Sequence, residues 1–514
     1  MAQGANIVIV GGGTAGWLSA LIIQEHARRA HLDLKISVLE SSKIPTIGVG
    51  EGTTAVFRAL FEQFGFDELE FIRETGATIK FGIRHQDWRH VGHSYDGPID
   101  DPHAVVQPPA GAGSEYLNIY SVASGRPVSE MHLFDHLLKR SKSPYAIKPD
   151  GSLVPVGPYH YAYHFDQALV GKYLRDKSQG IEKIDGTVSG IQRDPETGDI
   201  VSLAVEEGGS VKGDFFIDAT GFRKRLIMQE LGGEWVSYAN DLPVNRAMPF
   251  WVDIKQGDEI SPYTLAWARE AGWMWSIPTQ ERYGCGYVYC DQFKSPEEAQ
   301  REIETALGHP IEPRNDIRFD IGRLKEAWIN NCLAVGLSSS FLEPLEATSI
   351  HGTVVQMMLF TGRFLNDDPR KMNSAAREDY NRRVARQVDD FRTFINLHYV
   401  TQRQDTEFWK FVSRECIHEE TEDRLQRWQT EMPRHENFTP FLGGLPHVEA
   451  QLYYPVLDGL GHLNQSVAKA EMAAQPKVRN AARKYVTSLT REYKQAATKA
   501  MDHAAFLAHA RAAG

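Results

Sequence analysis

Three glycines near the start of the chain have the spacing that lets a backbone hold a pyrophosphate group. Gly11, Gly13 and Gly16 follow the apolar run 6–10 and precede a stretch with helical periodicity. In that context the first glycine permits a tight turn, the second lets the backbone approach the phosphates, and the third lets the helix pack on the strand. Glu40, 24 residues after Gly16, ends the next apolar run and suits a ribose hydroxyl. The pattern predicts a dinucleotide site that disfavours a ligand with a 2′-phosphate.

A lysine and a glutamate lie at positions from which they could form a reactive pair. In the stretch 77–84 apolar and polar residues alternate, which places Lys80 on the opposite side of a strand from the apolar residues. A lysine in that position usually faces solvent. Glu346 lies two residues before Thr348, and Thr348 and Ser349 are typical N-caps of the apolar helix that follows. Free N–H groups at a helix start can hold a small anion, but a plain cap beside a surface glutamate gives the same pattern.

Two tryptophans and an isoleucine form a third candidate feature. Trp273, Trp275 and Ile277 occupy every second position before Pro278, so on a strand their side chains project to the same side. Such a wall is either ordinary core or a partition between two compartments, and this stretch alone does not distinguish the two.

The hydrophobic periodicity predicts the elements that position these residues. Strand-like runs occur at 6–10, 34–40, 76–83, 151–164, 199–206, 213–218, 246–254, 273–278 and 284–290. The first runs form a strand–turn–helix–strand unit, which opens a doubly wound α/β domain, and the later runs lie close together as in an inserted antiparallel sheet. Segment 86–113, rich in His, Asp, Gly and Pro, is predicted to be a long irregular loop.

From about residue 349 the periodicity becomes helical, over 349–364, 374–400 and the tail after 466. We therefore predict a nucleotide-binding core with an inserted substrate-side sheet over residues 1–385, and a C-terminal helical region that covers the substrate over residues 386–514.

Composition limits the classes of function. The 514 residues are 42% hydrophobic and 24% charged, which is ordinary for a globular chain with more than one substructure. A net charge of −11 disfavours binding to nucleic acid or an anionic membrane, and no apolar run is long enough to span a bilayer. Four cysteines without a C-x-x-C pair, and an N-terminus without a secretion signal, favour a reducing cytoplasm. No metal site is expected.

The stretch FFIDATG (215–221) favours FAD over NAD. A strand that ends in Asp218-Ala-Thr-Gly221 resembles the second dinucleotide-side motif of FAD-dependent hydroxylases, although a simple strand-turn is the alternative. Those hydroxylases carry Gly-Asp at a later strand end, where this chain has Gly336 followed by Leu337.

Taken together, several stretches resemble the flavin-dependent tryptophan halogenase family, in the family's order from residue 7 to about 400. They are GGGTAG (11–16), IPTIGVGEGT (44–53), Lys80 within ATIK, W-x-W-x-I-P at 273–278, GYVY (286–289) and FLEPLEATSI (341–350). The W-x-W-x-I-P and P-L-E-x-T elements are characteristic of these halogenases among proteins that resemble FAD monooxygenases. Stretch 44–53 matches the family's flexible strap between the flavin and halogenation sites.

The resemblance implies an enzyme that uses O2, chloride or bromide, and FAD supplied reduced by a separate reductase, to make hypohalous acid. Lys80 would hold or covalently capture the halogen and present it to an electron-rich, indole-like aromatic substrate. Glu346 would take the proton lost on rearomatisation or orient the electrophile. Thr348 and Ser349 would bind halide, with Ser349 standing where the family usually has glycine. The tryptophan wall, with Pro278, would keep the substrate away from the flavin and so block monooxygenation.

The motifs and the resemblance also assign the cofactor site. The residues expected to bind FAD are Gly11, Gly13, Thr14, Ala15, Gly16, Glu40, Val49, Gly50, Asp218 and Gly336. Two alternatives on the same fold are a FAD-dependent aromatic monooxygenase and a non-catalytic flavin-binding relative. Leu337 and the wall argue against the first, and the retention of both Lys80 and Glu346 argues against the second. A homodimer is among the compatible assemblies.

The substrate itself is addressed by one further resemblance. In the family a tyrosine pair and a following glutamate hold the amino-acid group of tryptophan, and this chain has Tyr453 and Tyr454 but the apolar Leu460 at the expected glutamate position. On a helix Asp458 would point to nearly the opposite side. An ammonium buried without a partner is costly. We therefore expect free tryptophan to be a poor substrate and indole-like or larger aromatic compounds to be better ones.

Overall fold

The structure, a computed structural model, describes residues 4–44, 50–99, 114–157, 160–206, 208–255, 257–438, 448 and 450–513. Val49, one of the predicted FAD-binding residues, lies outside the described residues, as does 100–113 of the predicted loop.

Strands occur among the described residues from Ala5 to Phe341. They are β1 (Ala5–Val10), β2 (Leu34–Glu40), β3 (Gly50–Gly52), β4 (Thr78–Lys80), β5 (Gly82–Gln86), β6 (Ser94–Pro98), β7 (Tyr145–Ile147), β8 (Leu153–Pro155), β9 (Ala162–Asp166), β10 (Glu182–Asp185), β11 (Val188–Arg193), β12 (Ile200–Val205), β13 (Ser210–Lys212), β14 (Phe215–Asp218), β15 (Trp235–Ser237), β16 (Arg246–Asp253), β17 (Tyr263–Ala268), β18 (Gly272–Pro278), β19 (Arg282–Tyr289), β20 (Ile317–Arg318), β21 (Gly322–Leu324), β22 (Trp328–Ile329), β23 (Cys332–Ala334) and β24 (Ser340–Phe341).

The α-helices of the described residues begin at Thr14 and extend to Ala512. They are α1 (Thr14–Ala30), α2 (Ala55–Phe64), α3 (Glu68–Thr75), α4 (Ser114–Ala123), α5 (Leu133–Leu138), α6 (Gln167–Lys177), α7 (Pro296–Leu307), α8 (Thr348–Leu359), α9 (Ser374–His398), α10 (Glu407–Glu415), α11 (Glu419–Arg427), α12 (Ala450–Leu460), α13 (Gln465–Ala474), α14 (Pro476–Lys499) and α15 (His503–Ala512).

A six-stranded sheet with the order β10-β2-β1-β14-β23-β22 forms the nucleotide-binding layer. Its strands are parallel from β10 to β23, and β1 lies between β2 and β14. The β1–α1–β2 unit therefore brings the glycine turn to the carboxyl edge of a doubly wound sheet, where such folds bind ligands. The predicted α/β class is confirmed.

The predicted inserted sheet is also present, as seven strands in the order β20-β16-β19-β18-β17-β5-β6. The strand β18 carries the tryptophan wall and pairs antiparallel with β17 and β19. Only the β17–β5 pair is parallel in this sheet. The prediction of an irregular loop from residue 86 is wrong in part, because β6 (Ser94–Pro98) pairs with β5 in a hairpin. The Asp, Gly and Pro residues of this segment are typical of a loop, but pairing at the edge of the sheet stabilises a strand here.

The lysine strand and the strap strand belong to one small sheet. In the order β3-β9-β4, the strand β9 pairs antiparallel with both β3 and β4. The single strand predicted over 76–83 is therefore two strands in different sheets. They are separated at Phe81, whose N–H donates to the Pro262 carbonyl at 2.9 Å.

Helices dominate after residue 348, as predicted, and an apolar core is continuous from the sheets into them. The helix α9 starts where the Asn373 side chain accepts the N–H of Ala376, a local N-cap. The predicted domain boundary at residue 385 falls inside this helix, so the division into two domains stays a prediction. No helix of the described residues is long and apolar enough to cross a membrane.

Candidate active site

A cavity of about 1430 Å³ opens at the carboxyl edge of the six-stranded sheet. This volume exceeds the ~300–1000 Å³ of common ligand pockets and suits an extended dinucleotide. Of the residues predicted to bind FAD, the cavity lining includes Gly11, Gly13, Thr14, Ala15, Glu40, Gly50 and Gly336. Gly16 lies behind the lining, where an added Cβ would stand 1.9 Å from the carbonyl oxygen of Gly11. Glycine is therefore required there for the helix to start against the turn.

Two acidic residues of the predicted cofactor site have different surroundings. Glu40 ends β2 on the cavity wall and forms an ion pair with Arg175 at 3.1 Å. Asp218 is fully buried and is not part of the lining. Its Oδ2 accepts the backbone N–H groups of Leu226 and Ile227, at 2.8 and 2.9 Å. Asp218 therefore holds the loop after β14 in place. This arrangement does not support the predicted direct contact between Asp218 and the cofactor.

Lys80 lines the same cavity and is 1% exposed, although a lysine on the polar face of a strand usually faces solvent. Lys80 ends β4, which pairs with the buried strand β9 at Ala162. Burial is the main influence and lowers the pKa of Lys80 to about 8, against the opposing attraction of Glu346 and Glu51. Conversely, burial raises the pKa of Glu51, on the strap strand β3, to about 7. A lysine of this kind is a strong donor that is readily converted to a free amine.

Glu346 ends a short 3-10 turn (Pro344–Glu346) and lies next to two buried histidines. Its Oε1 is 3.0 Å from His398 Nε2 and 3.5 Å from His85 Nε2. Burial by itself would raise the pKa of Glu346, but the adjacent His398 and His85 side chains lower it to about 2. The ligand atoms of these three side chains lie within 4.8 Å of one another, a spacing that could also hold a metal ion.

The predicted wall stands between the cavity and the helical region. Trp275 and Ile277 line the cavity, whereas Trp273 is fully buried behind them and Pro278 ends the strand. Trp273 Nε1 donates to Glu343 Oε2 at 2.5 Å. The Tyr399 hydroxyl donates to the same oxygen at 2.7 Å. The wall is therefore held by a buried carboxyl group as well as by packing.

The predicted halide residues line the cavity, but the predicted capping is wrong. The helix α8 begins with Thr348, and its N-cap is Ala347, which has a left-handed backbone conformation (φ 53°) and offers no capping side chain. Thr348 and Ser349 are therefore the first helical residues. The start of this helix faces the cavity with no capping side chain, as the anion hypothesis requires.

The predicted substrate tyrosines are fully buried on α12. The Tyr453 hydroxyl accepts from Arg424 at 2.6 Å, and the Tyr454 hydroxyl donates to the Pro433 carbonyl at 2.8 Å. Tyr453 packs on Phe394, with 4.8 Å between the ring centroids. The pair therefore joins the aromatic cluster next to the histidines, but neither residue lines the cavity.

Four residues of the site were absent from the sequence predictions: Glu51, His85, Glu343 and His398. Glu51 lies in the strap motif and Glu343 in FLEPLEATSI, so both motifs carried a signal in the form of a charged residue within an otherwise apolar stretch. His85 and His398 had none, because ordinary core histidines look the same in a sequence.

Comparison of this chain with known proteins identifies its family. The tryptophan halogenase family profile matches residues 6–472. Tryptophan 6-halogenase SttH of Streptomyces toxytricini is 34% identical to this chain over 521 aligned residues, which cover 95% of this chain and 97% of SttH. Its crystal structure has a TM-score of 0.87 over 99% of this chain and 100% of SttH. BrvH, a flavin-dependent halogenase from Brevundimonas sp. BAL3, is 29% identical with a TM-score of 0.84, over 99% of each chain. The chain belongs to the tryptophan halogenase family and is a flavin-dependent oxidoreductase.

Proposed function

We propose that this enzyme chlorinates or brominates an indole-like aromatic compound by transferring a halogen from Lys80. The observation that carries the proposal is the position of Lys80, which is buried, lines the FAD-sized cavity and is attracted by Glu346. A lysine with only a structural role would form an ion pair at the surface.

Reduced FAD, when bound, supplies with O2 the oxidising equivalents that convert halide to hypohalous acid. Around the cofactor, the glycine turn and Glu40 would bind the dinucleotide, and the start of α8 at Thr348 and Ser349 would hold the halide. A separate reductase would deliver the reduced cofactor.

The remaining residues would control where the oxidant goes. Trp275 and Ile277 close the cavity toward the helical region, so an aromatic substrate there does not touch the cofactor. Hypohalous acid reaches Lys80, whose ammonium donates hydrogen bonds to it or whose amine captures the halogen. Glu346, ionised because its pKa is about 2, accepts the proton that the aromatic ring loses.

The surroundings of α12 support a substrate that lacks an amino-acid group. Leu460 is fully buried, and Asp458 Oδ2 accepts the N–H of Val128 at 2.8 Å. Asp458 is the only carboxylate among the described residues of this helix, and one of its two oxygens is already engaged by that backbone N–H. We therefore propose that indole-like compounds are better substrates than free tryptophan.

One assay tests the function. The purified enzyme is supplied with reduced FAD, O2, bromide and indole, and the products are analysed by mass spectrometry. Bromoindole is expected from the wild type, and none from Lys80→Met, which keeps the side-chain length but removes the amine. Lys325→Met is the matched control, because Lys325 is an exposed lysine paired with Glu234. Hydroxylated indole would support a monooxygenase, and unchanged indole with all variants would contradict the proposal.

A further inference from the structure

The small sheet that carries Lys80 also carries buried polar side chains on the same face. In the order β3-β9-β4, His164 of β9 pairs with Gly52 of β3 on one side and with Thr78 of β4 on the other. Thr78 and Lys80 are two positions apart on β4, so both project from one face, and directly paired residues share a face as well. His164 and Thr78 are fully buried. Lys80 is therefore accompanied by a histidine and a threonine that are shielded from solvent.

Thr264, on β17 of the neighbouring sheet, connects these side chains to the cavity. Its hydroxyl lies 2.9 Å from His164 Nε2, and Thr264 lines the cavity together with Lys80. Gly52 leaves open a space beside both groups, because an added Cβ would stand 2.8 Å from Lys80 Nζ and 3.3 Å from Thr264 Oγ1. The lysine amine and the threonine hydroxyl thus border the same space.

The partners of these groups determine the direction of each hydrogen bond. The Thr78 hydroxyl donates its single hydrogen to the Pro278 carbonyl, at 2.7 Å. Toward His164 Nδ1, at 3.3 Å, the same hydroxyl can then only accept, so Nδ1 carries a hydrogen. Burial, with the nearby charge of Lys80, holds the pKa of His164 well below its ordinary value, so the ring is neutral and Nε2 has a lone pair. The Thr264 hydroxyl therefore donates to Nε2.

A hydroxyl whose hydrogen is engaged in this way offers only lone pairs to the cavity. Thr264 Oγ1 is thus a hydrogen-bond acceptor of fixed direction, and Lys80 Nζ, with its N–H groups, is a donor beside it. This pair matches a small molecule whose oxygen has both an O–H group and free lone pairs. Hypohalous acid is such a molecule, since its oxygen carries one hydrogen, one halogen and two lone pairs.

We propose, resting on the function proposed above, that Thr264 and Lys80 together hold hypohalous acid by its oxygen. Thr264 Oγ1 accepts the O–H hydrogen, and Lys80 Nζ donates to a lone pair of the same oxygen. Because two hydrogen bonds hold the oxygen, the bond from oxygen to halogen is confined to a narrow range of directions and points away from both residues. The halogen is then presented to the aromatic substrate. Since threonine is uncharged, it adds no negative charge that would make the halogen less electrophilic.

His164 and Thr78 act through Thr264 as positioning residues. Without the Thr78 hydroxyl, His164 can take the tautomer that carries its hydrogen on Nε2, and Thr264 can then turn its own hydrogen toward the cavity. A donor at that point would face the N–H groups of Lys80 instead of complementing them. The acid would then be held less firmly.

The test measures how much of the hypobromous acid made by the enzyme reaches the substrate. Each protein receives reduced FAD, O2, bromide and indole, with an excess of a thioether-containing peptide that escaping acid oxidises to the sulfoxide. The ratio of bromoindole to sulfoxide reports how firmly the acid is held, and the sum of the two reports how much acid is made. In Thr264→Val we expect the ratio to fall roughly 3- to 10-fold, the effect of losing one hydrogen bond, while the sum stays unchanged.

Three further variants sharpen this comparison. Thr264→Ser keeps the hydroxyl and should retain most of the wild-type ratio. Thr78→Val removes the hydroxyl that fixes the tautomer of His164 and should lower the ratio by less than Thr264→Val does. Thr75→Val is the matched control and should behave like the wild type. Thr75 is also a fully buried threonine, bonded to the Phe71 carbonyl at 2.6 Å, but it lies outside the cavity lining.

Several results would overturn this role of Thr264 while leaving the halogenase function intact. One is a wild-type ratio in Thr264→Val. Another is an equal loss in Thr264→Ser, which would assign the effect to packing of the methyl group. A fall in the sum instead of the ratio would place Thr264 with the flavin chemistry. An unchanged ratio in Thr78→Val would overturn the part assigned to His164 and Thr78.

Two further outcomes separate this role from the fold and from the proposed function. If Thr264→Val does not bind FAD, Thr78→Val decides in its place, because Thr78 lies outside the cavity lining. A wild type that yields only sulfoxide contradicts the proposed function itself, as does a wild-type ratio in Lys80→Met.

Discussion

Replacing Glu343 with glutamine should make the protein more stable at neutral pH and leave its stability unchanged at acidic pH. The Glu343 side chain is fully buried. One carboxylate oxygen accepts from both Trp273 and Tyr399, and the carbonyl of glutamine can accept the same two hydrogen bonds. The substitution therefore removes a titrating group and keeps its shape and partners.

The magnitude follows from the pKa of this carboxyl group. Burial raises it from 4.5 to about 7, partly offset by the two hydrogen bonds. Between these values the folded protein holds a proton that the unfolded chain has released, so the free energy of unfolding falls as the pH rises from 4.5 to 7. The full loss, reached above pH 7, is about 3 kcal/mol. Glutamine does not titrate, so the variant escapes this loss.

Thermal unfolding of both proteins between pH 4.5 and 8 measures the difference. The melting temperatures should coincide near pH 4.5 and diverge as the pH rises, with Glu343→Gln a few degrees higher at pH 8. Glu234→Gln, a substitution at an exposed residue, controls for a general effect of removing a carboxylate. A Glu343→Gln variant that is less stable than the wild type at pH 8, or a difference independent of pH, would refute the reasoning.

Further measurements address the rest of the site. Lys80→Met should be more stable than the wild type at pH 7 by up to about 3 kcal/mol. Because the folded lysine has a pKa of about 8 rather than 10.5, this gain should shrink as the pH rises from 8 to 10.5 in thermal melts. Glu346→Gln should preserve the fold and slow bromination strongly in a steady-state assay; an equal rate would contradict its role as base. Gly284→Ala should weaken FAD binding, measured by flavin fluorescence, because its Cβ would stand 2.5 Å from the Cα of Gly50 on the strap strand. In a competition assay indole should be brominated with higher catalytic efficiency than tryptophan, and the reverse order would contradict the reasoning from Leu460.

The parts of the site that the sequence predicted are those built by local contacts. The β1–α1–β2 unit and the alternating wall on β18 depend on neighbours in the chain, and both are present. The burial of Lys80 depends instead on pairing of β4 with β9, more than 80 residues away, which periodicity does not reveal.

Contacts between residues far apart in the chain explain most of the other differences between the predictions from sequence and the structure. Glu343 is three residues from Glu346, yet its partners Trp273 and Tyr399 lie 70 and 56 residues from it in the chain. The histidines around Glu346 come from β5 and α9 and meet only in the folded protein.

The capping prediction at Thr348 failed for a local reason, because Ala347 adopts a left-handed conformation that shifts the helix start by one residue.

The pairing of the strands around Lys80 bears on how substrate range could change in evolution. The lysine strand β4 and the strap strand β3 share β9, and two residues after Lys80 the chain enters β5, in the sheet that carries the wall. A shift in any of these strands would disturb several parts of the chemistry at once, whereas helices that do not contact these strands can change separately. Accepted substitutions that alter specificity, in natural lineages or in laboratory selection, should therefore accumulate in the helices and spare the strands.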